Sequence, residues 1–328
     1  MAVSQKQIAE ALNLSTITVS RALRNHSYLS EKTKARVLEK ARELGYAKSR
    51  AKAGTEEAKV RRAGVIFYEA PGQAEISLAS RLKNFVFCAL QQECKRLRVE
   101  MLIETVNLSE TPMSVNNGTI DVAFIFGRYT PESVARLGAI PTLAVSSFIT
   151  TPGLSRIVAD NLRGMQMATE HLIRLGHRKI LFVGNIDSHT RLFRERAQGY
   201  LIAMHEHGLE PVIKEYANYQ VAAEDLVGYT GLVCASDALA YSARRQLEGM
   251  GMRLPQECSI VGFDNLAHEY PLEPTKITTY GPDWGLMGRM AADLLLSHPL
   301  EVHNQELTIT VPGKIVFYHS TAAPSKAR

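Results

Sequence analysis

Apolar positions follow two rhythms along this chain. Between residues 8 and 44 they recur at three- and four-residue spacing: Ile8, Ala9 and Leu12, then Val19, Ala22 and Leu23, then Val37, Leu38, Ala41 and Leu44. That spacing predicts three short helices around one small core. Ser4 with Gln7 makes a capping box for the first, and Asn13 suits the tight turn after it. Ser15 and Ser30 cap the second and third, and Gly45 followed by Tyr46 stops the third. From Ala63 onward the rhythm changes to short apolar strands alternating with longer helical stretches. Strands are expected at 64–68, 99–105, 122–126, 142–145, 180–183, 232–234 and 259–263. The helix after the first strand carries Leu82, Phe85, Val86, Ala89, Leu90 and Leu97 on one face, and others are expected at 165–175, 196–207 and 238–249. Such alternation implies parallel sheets with helices on both faces. The cycle restarts after Asp160-Asn161, so the expected fold class is a small all-α head followed by an α/β core of two doubly wound parallel-sheet lobes with a cleft between them.

The second head helix, 15–24, leaves Thr16, Ile17, Ser20 and Arg21 outside its apolar face. Slim side chains plus one guanidinium suit a major groove, where arginine reaches guanine edges or phosphate. The first two helices therefore read as a helix-turn-helix with 15–24 as the recognition helix. Ser15, Thr16, Ile17, Ser20, Arg21, Tyr28 and Lys34 are the expected DNA contacts of the head. Residues 47–62 hold no large apolar residue except Val60 and read as a basic linker, whose Lys48 and Arg50 extend the expected DNA-facing set.

Charge sharpens that division. The net charge of +5 conceals fourteen Lys/Arg against six Glu and no Asp in residues 1–62, and twenty-four against twenty-seven acidic residues in the rest. A short basic segment on a slightly acidic body is the footprint of a phosphate-binding module. The chain has no basic-then-apolar leader and no run of eighteen apolar residues, so a cytoplasmic protein without a membrane partner is expected. Cys88, Cys94, Cys234 and Cys258 show no zinc spacing and read as reduced core thiols.

In open α/β sheets ligands collect beyond the carboxyl ends of the strands. The residues there are Tyr68, Glu69, Arg128, Ser146, Ser236 and Asp264, and Arg196, opening a helix after the 180–183 strand, faces the same cleft. An Arg and an Asp on opposite walls could grip a sugar's hydroxyls. Ser236-Asp237 reads equally well as a helix cap, and Asp264 could instead cap a loop. Arg128 would favour a phosphorylated or carboxylated sugar, but Glu69 opposes it, so a neutral sugar is preferred. Asp187, Ser188 and His189 are adjacent and lack the G-x-S-x-G elbow, so no hydrolase triad is expected. His177 reads as a loop residue at a helix end. No histidine pair has zinc spacing and no glycine-rich phosphate loop follows a strand. Neither enzyme activity nor a cofactor nor a metal is expected.

The head motif A-x-x-L-x-x-S-x-x-T-V-S-R-x-L, with S30-E-K-T-K-A-R-V-L-E and E43-L-G-Y, resembles the DNA-binding head of the LacI/GalR repressor family, ungapped from Ile8 to Tyr46. The core resembles it too, through D160-N-x-x-G, E170-H-L-x-x-L-G-H-R-K-I, E195-R-x-x-G-Y, L247-x-x-x-G-x-x-x-P-x-x-x-S-I-V-G-F-D264 and T278-T. The resemblance implies lobes like those of periplasmic sugar-binding proteins, crossed three times by the chain, near Asp160, Tyr280 and Thr310. It implies a head at 1–46 and a linker at 47–62. The first lobe would take 63–160 and 283–309, and the second 161–282 and 310–328. Arg196 and Asp264 match the family's effector-contacting pair, while Ser236 stands where Asn is frequent. Thr16 and Ile17 match the family's base-reading pair. Family members carry a Leu in the linker that wedges into the minor groove; here Thr55 lies near that place, so no sharp central kink is expected. The implied function is a ligand-responsive regulator, a repressor of carbohydrate genes, binding a near-palindromic operator as a homodimer. The alternatives are control by a protein corepressor, and a sugar-binding protein without gene control.

Overall fold

The computed structural model describes residues 5–12, 14–15, 18–19, 31–43, 60–69, 81–146, 151–184, 191–216 and 220–325. The chain divides into two compact units, Met1–Lys59 and Val60–Arg328.

In the first unit, α1 (Gln5–Leu12) and α2 (Glu31–Glu43) bury Ile8, Ala9, Val37 and Ala41 together with Val19, and Leu12 and Leu14 pack against them. Residues 18 and 19 are helical, and the Ser15 hydroxyl accepts the Thr18 N–H at 3.0 Å, an N-cap at the expected serine. Ser4, Thr16, Ile17, Ser20, Arg21, Tyr28, Ser30, Gly45, Tyr46, Lys48, Arg50 and Thr55 lie outside the described residues, as does the Lys34 side chain.

The core begins with β1 (Arg62–Glu69), α3 (Arg81–Leu97), β2 (Glu100–Asn107), α4 (Met113–Asn116), β3 (Val122–Gly127), α5 (Pro131–Ala135), β4 (Thr142–Val145) and β5 (Ser155–Ala159). It continues through α6 (Asn161–Arg174), β6 (Ile180–Gly184), α7 (Arg191–Glu206), β7 (Val212–Glu215), β8 (Gly231–Cys234), α8 (Asp237–Gly249) and β9 (Ser259–Phe263). It closes with β10 (Thr278–Pro282), α9 (Trp284–Ser297), α10 (Pro299–Asn304), β11 (Thr308–Val311) and β12 (Gly313–Val316). Two six-stranded sheets result, in the orders β11-β5-β4-β3-β1-β2 and β12-β10-β9-β8-β6-β7. Among the described residues every pairing is parallel except β10 with β12.

The chain passes between the lobes at Asp160, Asp283 and Pro312, and the crossings bond to one another. The Asp160 N–H donates to the Val311 carbonyl (3.0 Å) and the Asp283 N–H to the Pro312 carbonyl (3.3 Å). The third crossing lies beyond the expected boundary at 309/310, because the whole of β11 pairs with β5, through Val311 opposite Ala159. The linker also ends earlier than expected. Val60, its one large apolar residue, is buried in the core, and the Arg61 and Arg62 N–H groups both donate to the Asp121 carboxylate.

The structure corrects two further expectations and adds to a third, that His177 is a loop residue at a helix end. Helix α3 turns Val86, Ala89, Leu90 and Cys94 inward, so Phe85 is 50% exposed and Cys88 is exposed rather than a core thiol. His177 is fully buried: its ring bridges the Thr230 hydroxyl (3.0 Å) and the Ala322 carbonyl (2.9 Å), which pins the last described residues to the second lobe. Arg196 does not open its helix but sits in the second turn of α7.

Two motif glycines have a steric cause. A Cβ at Gly164 would strike the rings of Tyr280 and Phe263, and one at Gly199 would strike the Leu162 carbonyl and crowd the Gln166 N–H. Helices α6 and α7 therefore pack backbone to backbone, which fixes where α7 presents its side chains.

Candidate functional site

At the carboxyl ends of the second sheet, Arg196 reaches three acceptors. Its Nε donates to Asn161 Oδ1 (3.0 Å), one terminal nitrogen to the Ala235 carbonyl (2.6 Å) and the other to Asp264 Oδ1 (3.1 Å). The guanidinium carbon lies 3.6 Å from the centre of the Phe263 ring and 5.7 Å from that of Phe193. A planar group with fork-like donors over an aromatic face is a task for arginine and not lysine. Both charges are mostly out of water, with side-chain exposures of 5% for Arg196 and 12% for Asp264.

Asp264 is held in an unusual backbone state, at φ +114°. A non-glycine residue there costs of order 1–3 kcal/mol and persists only when its surroundings over-determine it. Here its N–H donates to the Tyr280 carbonyl (2.8 Å), its own carbonyl accepts the Trp284 indole N–H (3.0 Å), and its carboxylate meets Arg196. Beneath it, the Asp237 carboxylate accepts the Leu266 N–H (2.6 Å) and the Thr279 hydroxyl (2.7 Å). Burial first, and the charge of Asp264 second, pushes the Asp237 carboxyl well above the usual range. Asp237 is thus a strut of the site.

The other expected residues divide. Ser236 accepts the Leu239 N–H at 3.4 Å as the N-cap of α8, which is its alternative reading. Tyr68 is buried with Ile66, Ile125 and Tyr129, donates to the Ser133 carbonyl (3.2 Å), and burial pushes its phenol up to about 12. That makes it a core side chain under α5. Its neighbour Glu69 points the other way by strand alternation; it is buried, and its Oε1 has no hydrogen-bond partner among the described residues. Arg128 is exposed, and Ser146 is half-buried at φ +53°. Asp187, Ser188 and His189 lie outside the described residues.

Sequence reasoning passed over Asn161. Its amide accepts from Arg196 and donates to Glu195 Oε2 (3.1 Å). The signal was its place in D160-N-x-x-G, directly after a strand end. Among the described residues no cluster of His, Cys, Asp and Glu is placed to hold a metal ion, and no helix is long and apolar enough to cross a membrane.

Comparison with known proteins joins the two units. The family model of bacterial regulatory proteins of the lacI family matches residues 5–49, and that of the periplasmic binding protein-like domain matches residues 169–321. The chain is 27% identical over 299 residues to the probable HTH-type transcriptional repressor ExuR of Bacillus subtilis (strain 168), covering 85% of this chain and 87% of that one. It is 27% identical over 347 residues to the HTH-type transcriptional repressor PurR of Glaesserella parasuis serovar 5 (strain SH0165), covering 98% of each. Among solved structures, a lac repressor dimer bound to operator and the anti-inducer ONPF superimposes with a TM-score of 0.66 at 20% identity, over 98% of this chain and 100% of that one. A CelR–cellobiose complex gives a TM-score of 0.64 at 20% identity, over 97% and 99%. The head is therefore a lacI-family DNA-binding domain, and residues 169–321 of the core form a periplasmic binding protein-like domain.

Proposed function

We propose that this regulator represses carbohydrate genes from a near-palindromic operator, as a homodimer inside the cell, and that a neutral polyhydroxylated molecule in the interlobe cleft sets its affinity for DNA. The observation that carries the ligand reading is the buried Arg196–Asp264 pair at the strand ends. It places a donor fork and an acceptor side by side, the pairing that vicinal hydroxyls complement. Glu69 supports a neutral ligand, since its buried Oε1 calls for a donor such as a sugar hydroxyl, and Arg128 is exposed. Some relatives and neighbours support this class: one is named a ribose operon repressor, and solved neighbours carry cellobiose, ribose or glucose. No step of this mechanism makes or breaks a covalent bond. A ligand that prefers one lobe arrangement shifts the population of DNA-competent dimers by its differential affinity.

The test is a melting-point screen of the full chain against neutral sugars, followed by operator titration with each stabilising sugar. At a hundred times its dissociation constant a ligand adds about 2.7 kcal/mol of stability, easily seen as a shift. The effector should change operator affinity in the wild type, and Asp264→Asn should bind operator but ignore the sugar. If no sugar moves the melting point, a protein corepressor becomes the better reading.

Base reading by Thr16 and Ile17 is tested separately. Ile17 has no hydrogen-bonding group, so it favours a thymine methyl over donor or acceptor edges, with Arg21 as the main polar contact. Ile17→Gln should change the preferred base at one position of each half-site, worth about 1–3 kcal/mol. Lys34→Ala, at an expected phosphate contact, should weaken all sites alike. Selection from randomised operators reads both, and an unchanged motif for Ile17→Gln would remove Ile17 from the reading set.

A further inference from the structure

Asn161 stands where the cleft meets the lobe crossings. It is the first residue of α6, directly after Asp160. The Asp160 N–H bonds the Val311 carbonyl at the third crossing, and the Asp160 carbonyl accepts the Gly164 N–H (3.0 Å). Asn161 itself is only 5% exposed. Burying an amide costs stability unless its ends are bonded, and both ends are. Oδ1 accepts from Arg196 Nε (3.0 Å), and Nδ2 donates to Glu195 Oε2 (3.1 Å). These partners fix which way the amide points. A guanidinium only donates and a carboxylate only accepts, so a flipped amide would oppose both.

The backbones around this side chain have no slack. Helix α6 lies so close to α7 that Gly199 leaves no room for a Cβ beside the Leu162 carbonyl, and so close to β10 that Gly164 leaves none beside the Tyr280 ring. What can move is the Arg196 guanidinium. Three of its five N–H donors have protein acceptors, on Asn161, Ala235 and Asp264. A ligand oxygen that draws on the terminal nitrogens competes with Ala235 and Asp264, so the bond from Nε to Asn161 is the one that stays and carries the displacement. A neutral amide suits that task. A carboxylate in its place would repel Glu195 and compete with Asp264 for the same cation.

We propose that Asn161 is the positioning residue that couples the cleft to the lobe crossings: it sets the plane of the Arg196 guanidinium for the polyol and passes that group's displacement to Asp160. This role rests on Arg196 and Asp264 being ligand contacts. Glu195 anchors the far end of the amide and is itself held by Arg191 Nε at 2.7 Å. Without the amide the guanidinium answers the ligand while the crossing stays where it is, and sugar binding no longer changes DNA binding.

Operator titrations of the full chain, with and without saturating ribose, glucose or cellobiose, test this on an operator recovered by selection. In the wild type the sugar that raises the melting point should change operator affinity by about 5–150-fold, the usual span of allosteric coupling. Asn161→Ala should bind operator normally without sugar and still be stabilised by the sugar, yet the sugar should change its operator affinity by less than about twofold. That ratio is taken at saturation, so weaker sugar binding or lower stability alone leaves it unchanged. A paired exchange decides where Asn161→Ala fails to fold or to take the sugar. Asn161→Asp keeps an acceptor for Arg196 but sets a carboxylate against Glu195, and should lose the coupling. Adding Glu195→Gln returns a donor to face that carboxylate, with the Gln carbonyl still accepting from Arg191, and should restore the ratio to within about threefold of the wild type. Full coupling in Asn161→Ala or Asn161→Asp overturns the role of Asn161, as does an exchange that restores nothing. A wild type that none of the sugars shifts removes the ligand reading and this role with it, whereas variants that respond like a responsive wild type remove this role alone.

Discussion

Arg196→Ala is expected to lower the melting temperature of the full chain by on the order of 10 °C. Breaking a buried ion pair by removing one partner costs about 3–5 kcal/mol, because the other charge stays buried without compensation, and each kcal/mol moves a core of this size by about 2–4 °C. Three acceptors lose their donor at once: Asn161 Oδ1, the Ala235 carbonyl and Asp264 Oδ1. The same cut releases the restraint on Asp264 at φ +114°. Arg196→Lys should recover little, since one ammonium cannot span three acceptors set around a planar fork. Adding Asp264→Ala to Arg196→Ala should recover part of the loss by removing a buried carboxylate that has lost its guanidinium. Circular dichroism melts of the four proteins decide the matter. A shift below about 2 °C for Arg196→Ala, less than 1 kcal/mol on the same conversion, would mean that the pair contributes no more than an exposed salt bridge.

The second large effect is expected at Gly199. Alanine favours a helix over glycine by about 1 kcal/mol, so propensity alone predicts that Gly199→Ala stabilises. The packing predicts the opposite, and it should win. A Cβ at Gly199 meets the Leu162 carbonyl and crowds the Gln166 N–H, both backbone atoms of α6 that cannot swing aside. Forcing atoms into a filled interface costs about 1–3 kcal/mol, more when backbone must shift. Gly199→Val should be worse still, and because α7 carries Arg196, its displacement should weaken binding at the cleft as well. Gly249, at the end of α8, is the control: nothing lies within 4 Å of its added Cβ, so Gly249→Ala should be neutral or stabilising. Urea melts giving the same sign for Gly199→Ala and Gly249→Ala would refute the packing argument.

Much of this architecture could be read from the chain because its signals were local. The Ser15 cap, the switch from helical to strand rhythm near Ala63, and the repeated strand–helix units each depend on residues a few positions apart. Arg196 and Asp264 could be named in advance from the family motifs but not as neighbours: the expectation puts them on opposite walls of the cleft, whereas both stand at the strand ends of the second sheet and bond each other at 3.1 Å. What escaped depended on distant partners. Alternation along β1 says that Tyr68 and Glu69 face opposite ways, but not which face α5 covers, so Tyr68 was grouped with the cleft although it packs in the core. Phe85 fits the apolar stripe of α3 by spacing, yet the rotation of that helix leaves it outside, edge-on to His268 at 5.2 Å. Arg156 lies in an unremarkable strand, S-R-I-V-A, and only the pairing of β5 with a strand from residues 308–311 buries it. Third crossings of this kind carry no local mark.

The threading of the two sheets also bears on how the protein is made. Proteins emerge and begin to fold from the N-terminus as they are synthesised. The head buries Ile8, Val19, Val37 and Ala41 together, residues close in sequence, so it can organise as soon as it leaves the ribosome. Neither lobe of the core has that freedom. The first lacks its edge strand until residues 308–311 arrive, and the second lacks β12, and the Ser320 and Ala322 contacts that tie Ile260 and Ser259, until the chain reaches residue 322. A nascent chain stalled near residue 300 would thus present a DNA-binding head on a body with two open sheet edges, exposed to wrong strand pairing.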